Sequence, residues 1–285
     1  MAIILRDKNA DFSNIRGAEK LYLDALTTEG TLILQDYSRQ SCLPSGGLTK
    51  NAPVVDLSLG ATDTNKDMEF IVNSEAFKDF DYNENGAYTL KNVGDDGGIV
   101  IGTDVLNYLH QNNPSKVLLI LWIKTPYDES ALDYGFTPFS SDRADGLGNG
   151  RLIRGVLTVH GHITITLNGV ACQPISFKKT DSSFTQIAIV FERGQKNKSF
   201  RDSAKVNSDS TVTNDLNWGE PSGEGLYIGN RTNDGYNSNL QIGRFLLEDL
   251  DRSGRDEREV ISMDYDYVNA KGAFTGIEKR PFANL

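Results

Sequence analysis

The sequence predicts an all-β protein, an antiparallel β-sandwich with one or two short helices. Three observations carry this expectation. Short runs of apolar or alternating residues follow one another along the chain, separated by clusters of Gly, Asn, Asp and Ser. One run, VLLILWI at 117–123, is apolar at both parities and reads as a central strand covered on both faces. Helical periodicity is confined to two stretches.

Residues 1–20 mix charge with scattered apolar groups at no clear period and read as an N-terminal arm for docking or oligomerisation. Residues 21–285 read as one domain, a size at which all-β sandwiches commonly fold as a unit. Its strands are expected at KLYLDAL (20–26), TLILQDYS (31–38), VVDLSL (54–59), AYTL (87–90), GIVIG (98–102) and KVLLILWIKT (116–125). LIRGVLTVH (152–160) and HITITLNG (162–169) follow, the latter alternating Ile163, Ile165 and Leu167 with polar partners before an Asn-Gly turn. The series closes with QIAIVFERG (186–194), LYIGN (226–230) and LQIGRFLLED (240–249). Trp122 belongs to the core on this reading.

NSEAFKDF (73–80) is short and amphipathic. In SGRDEREVISMDYDYV (253–268), Ser253 and Asp256 stand at capping-box spacing, and Val260, Met263 and Tyr267 recur along one face. The stretch from Asp202 to Asn239 is long and irregular, as functional or mobile loops are.

Composition excludes several classes. Lys and Arg number 29 against 39 Asp and Glu, a net charge of −10, which repels phosphate backbones and argues against a nucleic-acid partner. The run from Ala2 to Leu5 before Arg6 is too short for a signal-peptide core. VLLILWI falls far short of the ~20 residues a membrane helix needs, so no membrane insertion is expected. Cys42 and Cys172 are the only cysteines, and plain buried thiols are favoured over a bridge.

The order of elements resembles the concanavalin A-like and laminin G-like jelly rolls. KVLLILWIKT is similar to their central strand, and RLIRGVLTVHGHITITLNG to their hairpin ending in Asn-Gly. SSFTQIAIVFERG is similar to a strand that usually carries Trp where Phe184 stands. LYIGN with LQIGRFLLEDLDRSGRDEREVIS resembles their closing pattern. The opening MAIILRDKNADFS resembles the starts of bacteriophage and prophage virion proteins. The resemblance implies two curved antiparallel sheets and ligands held by loops or by the concave face, in lectins, glucanases and phage tail or fibre modules alike.

Catalytic patterns are sparse. The Glu-x-Asp-x-x-Glu strand of the glucanase branch does not occur, and neither does a Gly-x-Ser-x-Gly elbow. The alternating pairs Asp249/Asp251 and Asp264/Asp266 read as solvated charge at element ends. His160 and His162 share a strand face without a third metal ligand at a recognisable spacing, and His110 falls in a turn or short helical segment. DYNENG places Asp81, Asn83 and Asn85 as the first half of a calcium loop, although the twelfth position is Asn92 rather than Glu. DLDRSG (249–254) makes a similar partial match, and plain Asx turns are the favoured reading of both. No motif requires a cofactor; calcium is the one that the sequence offers.

Sugar recognition calls for an aromatic face beside hydrogen-bonding side chains. The candidates are Trp218 in LNWGEP, Tyr236 with Asn233 and Asp234 in NRTNDGYNSN, and Tyr134 in LDYGF, although an aromatic in a loop is more often a plug over the sandwich edge or a subunit contact. The expected function is therefore a non-enzymatic virion component of a phage or prophage, in a tail, fibre or capsid attachment. Residues 1–20 would dock it to other virion proteins or to its own copies, most plausibly as a trimer, and a host-surface polysaccharide would be its ligand. The alternatives are a free carbohydrate-binding lectin and a glucanase-like polysaccharide-degrading enzyme.

Overall fold

The computed structural model describes residues 26–37, 68–72, 80–83, 87–90, 97–101, 103–124, 136–143, 151–158, 162–167, 170–171, 175–176, 184–206, 213–214, 216–230 and 240–270. The chain first forms β1 (Thr31–Asp36), β2 (Met68–Val72), β3 (Phe80–Asn83), β4 (Ala87–Leu90), β5 (Gly97–Ile101) and helix α1 (Thr103–Asn112). Then come β6 (Lys116–Lys124), β7 (Phe136–Arg143), β8 (Arg151–Thr158), β9 (His162–Leu167), β10 (Val170–Ala171) and β11 (Ile175–Ser176). Next are β12 (Thr185–Glu192), β13 (Gln195–Lys196), β14 (Lys198–Arg201), β15 (Ala204–Lys205) and β16 (Thr213–Asn214). The last elements are β17 (Pro221–Asn230), β18 (Leu240–Asp249), α2 (Leu250–Ser253) and α3 (Glu257–Ala270).

These strands build two large antiparallel sheets and a two-stranded ribbon of β13 and β16. The first sheet runs β15-β14-β12-β6-β18, and the far edge of β18 is shared: its start pairs with β4, which pairs with β3, and the rest pairs with β1. The second sheet runs β10-β9-β8-β7-β17-β5-β2, with β11 also on β9. The predicted fold class is the one observed. The expected strand segments at 20–25 and 54–59, the expected helix at 73–79 and both cysteines lie outside the described residues, and Phe80 opens β3. No helix among the described residues is long and apolar enough to cross a membrane.

As its two-parity pattern predicts, β6 is buried on both faces. Val117, Leu119, Leu121 and Ile123 join Ile187, Ile189 and Phe191 of β12 and Ile163, Ile165 and Leu167 of β9 in the core between the sheets. Leu118, Ile120 and Trp122 face the other way, where α3 covers them with Val260, Ile261 and Val268. The molecule is thus layered as helix, sheet, sheet.

One bulge decides which side chains of β18 meet α3. The β6–β18 ladder slips between Ile242 and Arg244, leaving Gly243 as the extra residue, and the Gly243 carbonyl accepts from Tyr37 N at 2.9 Å. Strand side chains alternate faces, so without the slip Arg244 would share the inner face of Ile242. With it, Phe245 and Leu247 enter the inter-sheet core, while Leu246 packs under α3.

Arg244 is 0% exposed. Its Nε donates to Asp264 Oδ1 of α3 at 2.7 Å, its Nη1 donates to Asp36 Oδ2 of β1 at 2.8 Å, and its guanidinium lies 5.3 Å from the Tyr267 ring centre. The second oxygen of Asp264 accepts from Trp122 Nε1 at 2.7 Å and Gln186 Nε2 at 2.8 Å. Trp122 also stacks on Tyr265 at 5.8 Å. The expectation that Asp264 is a solvated charge is therefore corrected. It is fully buried because three donors from the sheet's outer face, together with α3 packing, replace water.

The start and face of α3 also differ from the sequence expectation. Ser253 ends α2, whose αL cap is Gly254 at φ 65, and Asp256 caps α3 by accepting from Arg258 N at 2.9 Å and Glu259 N at 3.3 Å. The buried stripe is Glu257, Val260, Ile261, Asp264 and Val268, which leaves Met263 at 41% exposure and Tyr267 half-buried. Polar Glu257 and Asp264 belong to that stripe, which is why hydrophobicity alone indexes the wrong face.

At the helix start, Glu257 accepts from Lys116 Nζ of β6 and from Lys198 Nζ of β14, the latter at 3.0 Å. Burial works to raise the Glu257 carboxyl, but the two ammonium groups outweigh it and hold the group down to about 2 from 4.5. A depressed folded-state value means stability that is complete above pH 4.5 and is lost as pH falls toward 2. Thermal unfolding scanned over that window should show Glu257→Gln losing part of the acid sensitivity, worth about 1 kcal/mol once solvent screening of the half-exposed lysines is allowed for. An unchanged pH profile in the variant would remove Glu257 from the acid response.

Candidate functional site: a polar cleft between α1 and α2

α1 links β5 of one sheet to β6 of the other and so closes one end of the sandwich. Val105, Leu106 and Leu109 plant it in the core. Asp104, Asn107 and Gln111, at i, i+3 and i+7, form a polar stripe on the same helix. The helix stops at Asn113, whose φ of 45 and N–H bond to Leu109 O at 2.9 Å make an αL cap, followed by Pro114. The sequence predicts only a turn or short helical segment around His110, and the structure extends it to a helix of about three turns.

Between this stripe and α2 lies an open cleft of about 890 Å³, lined among others by Asp104, Asn107, Tyr108, Gln111, Asp251 and Arg252. Its walls are tied together. Tyr108 Oη donates to Asp249 Oδ2 at 2.9 Å, and Asp249 Oδ1 caps α2 by accepting from Arg252 N at 3.1 Å. Asp251 accepts from both the backbone N and, at 3.0 Å, the Oγ of Ser115. Arg252 lies over the Tyr108 ring at 5.6 Å. Burial raises the Tyr108 phenol, with Arg252 opposing and the Asp249 carboxylate adding to the rise, so the hydroxyl serves as a donor and not as a base. Close backbone approach holds the back of α2: Asp249 N donates to Gly30 O at 2.8 Å, and a Cβ on Gly30 would stand 2.4 Å from Asp249 O.

Of the residues that the sequence nominated for sugar binding, Trp218 is the one that the described residues include. Trp218 lies in a loop, as expected, but is 1% exposed. Its Nε1 donates to Pro114 O at 3.2 Å, and its own carbonyl accepts from His110 Nδ1 at 2.7 Å, which fixes the proton on that nitrogen. Arg193 straps the same loop by donating to Leu216 O at 3.0 Å and Asn113 O at 2.8 Å. A buried ring offers no stacking face, so Trp218 is not a ligand platform but a plug behind α1, the alternative reading of a loop aromatic. Tyr134, Asn233, Asp234 and Tyr236 lie outside the described residues.

For the metal candidates, Asp81 and Asn83 sit on β3, paired with Thr89 and Ala87 of β4 in a hairpin. Asn85 and His160 lie outside the described residues, and His162 opens β9. Asp249 and Asp251 of the second calcium-like run are the cap and tie described above. Among the described residues no group of three His, Cys, Asp or Glu side chains converges as a metal site.

The cleft itself was not foreseen. Its signal was present in TDVLNYLHQN, where Val105, Leu106 and Leu109 alternate with Asp104, Asn107 and Gln111 at helical spacing.

No family model matches the chain, and no curated protein matches it in sequence. Solved structures do resemble it. The binding domain of Botulinum neurotoxin DC in complex with rat synaptotagmin II is similar with a TM-score of 0.54 and 13% identity over 84% of this chain and 52% of that one. The same binding domain in complex with SialylT gives 0.52, 13%, 84% and 52%. Trypanosoma rangeli sialidase in complex with sialic acid gives 0.54, 14%, 88% and 34%. The chain thus spans about half the length of the toxin binding-domain chains and about a third of the sialidase. At such identities the likeness is one of fold, an antiparallel β-sandwich.

Proposed function

We propose that this chain is a non-enzymatic, glycan-binding β-sandwich module of a bacteriophage or prophage virion, in a tail, fibre or capsid-attached position. The observation that carries the non-enzymatic part is how the cleft's carboxylates are used. Glycoside hydrolysis needs two carboxyl groups that flank one bond and face the substrate. Asp249 is occupied by the α2 cap and Tyr108, and Asp251 by Ser115. Among the carboxylates lining the cleft, Asp104 is the one whose side chain bonds to no other described residue, and one carboxylate cannot supply both members of the pair. What is open, Asp104 with the Asn107 and Gln111 amides, suits holding hydroxyl groups.

The sandwich fold supports the glycan reading, since a sialidase and a toxin binding domain of similar fold occur in complex with sialic acid and with SialylT. The motif order shared with concanavalin A-like and laminin G-like jelly rolls supports it too. Tyr134, Asn233, Asp234 and Tyr236 are proposed as further sugar contacts. Calcium is left out of this reading because Asp81 and Asn83 are paired strand residues and not part of a wound loop.

Incubating the protein with the surface polysaccharide of its host, while following retention and chain length, tests this directly. Retention without shortening is expected; shortening would make the protein an enzyme. The virion part rests on the opening MAIILRDKNADFS, and it assigns residues 1–20 to docking on virion proteins or on two further copies of the chain. Deleting residues 1–20 should leave the sandwich folded, by circular dichroism, while abolishing a trimer seen by light scattering. A truncated protein that assembles normally would sink the docking role.

A further inference from the structure

We propose that the α1–α2 cleft selects uncharged glycans and rejects sialylated and other acidic ones; this rests on the glycan-binding reading and names the class of sugar. An acidic sugar needs a guanidinium fork or a set of open backbone N–H groups. In the cleft the guanidinium and two of the backbone N–H groups are already engaged. Arg252, its one guanidinium, is drawn over Tyr108, with Nη1 3.4 Å from the phenol oxygen. The N–H of Arg252 in the first turn of α2 is taken by Asp249, and the N–H of Ser115 by Asp251. Against that single cation stand Asp104, Asp249 and Asp251, on a protein of net charge −10. A carboxylate entering the cleft would face like charge with its natural donors already occupied.

Uncharged sugars meet the opposite situation. Asn107 and Gln111 each present an amide with two donors and an acceptor oxygen, and Asp104 presents a carboxylate that can accept from two neighbouring hydroxyls. None of the three side chains bonds to another described residue, so none must break such a bond to engage. They rise along one helix at spacings near a turn, about 5.4 Å, close to the separation of hydroxyls on opposite edges of a pyranose ring. Because α1 is pinned by Tyr108, Asn113 and the Trp218 loop, the stripe is held rigid before ligand arrives.

The test is an array of uncharged oligosaccharides and their sialylated counterparts, probed at physiological ionic strength with the parent protein, Asn107→Ala, Gln111→Ala and Asp104→Asn. The parent should bind uncharged members at least tenfold more tightly than their sialylated forms. Asn107→Ala and Gln111→Ala should each weaken that binding about tenfold without lowering the melting temperature, and Asp104→Asn should narrow the discrimination against sialylated members. A parent that prefers sialylated members overturns the selectivity. Uncharged-sugar binding that survives both alanine substitutions puts the sugar elsewhere and overturns the site while sparing the function. A parent that binds no member of either set overturns the glycan-binding reading itself, and this inference with it.

Discussion

The guanidinium of Arg244, held between Asp36 and Asp264 in the layer beneath α3, is the constraint on which the outer half of the molecule depends. Removing a charge from water costs several kcal/mol even after relaxation, and the cost is offset only when partners and hydrogen bonds are complete. They are complete here. Two carboxylates face one guanidinium, and the surplus negative charge falls on an Asp264 oxygen that also receives the Trp122 indole and the Gln186 amide. One side chain thereby fastens β1, β18 and α3, while Trp122 and Gln186 bring in β6 and β12. An apolar layer could supply comparable stability but would not dictate which residue of α3 sits over which strand.

That fixing reaches the cleft through β18. The strand begins paired to β4, slips at Gly243, presents Arg244 outward, and ends at Asp249, which accepts from Tyr108 and caps α2. Strand residues alternate faces, so a one-residue change of register would swap Phe245 and Leu247 for Arg244 and Glu248 in the inter-sheet core. It would also move Asp249 off its cap. The placement of Arg252 and Asp251 opposite the α1 stripe is thus tied to a buried ion pair five residues before Asp249 on the same strand. A cleft whose walls are tied this closely suits recognition, because little ordering is left for a ligand to impose.

Much of the scaffold was legible in the residues. VLLILWI announced a strand buried on both sides, and Trp122 is indeed core. The run at 253–268 announced a helix, found from Glu257. Polar or interrupted strands were harder to see: β7 (FTPFSSDR) has neither alternation nor an apolar run. Asp264 read as solvated because its partners Arg244, Gln186 and Trp122 stand 20, 78 and 142 positions away, and only folding brings them together. The bulge at Gly243 defeats period-2 arithmetic for the same strand. Trp218 looked exposed because its loop is polar, yet its indole packs behind α1. The cleft was hidden because helix α1 is ten residues long and sits among strands, where its 3.6-residue period is easily passed over.

A double-mutant cycle on Arg244 and Asp264, by urea unfolding of the parent, Arg244→Met, Asp264→Ala and the double variant, measures the central constraint most directly. Each single substitution should cost about 3–5 kcal/mol, because it strands a buried partner. The double variant should cost well under their sum, leaving a coupling of about 2 kcal/mol or more. Single costs within about 0.5 kcal/mol of zero that simply add would mean that the pair is solvated, and that α3 and the register of β18 are held by something else.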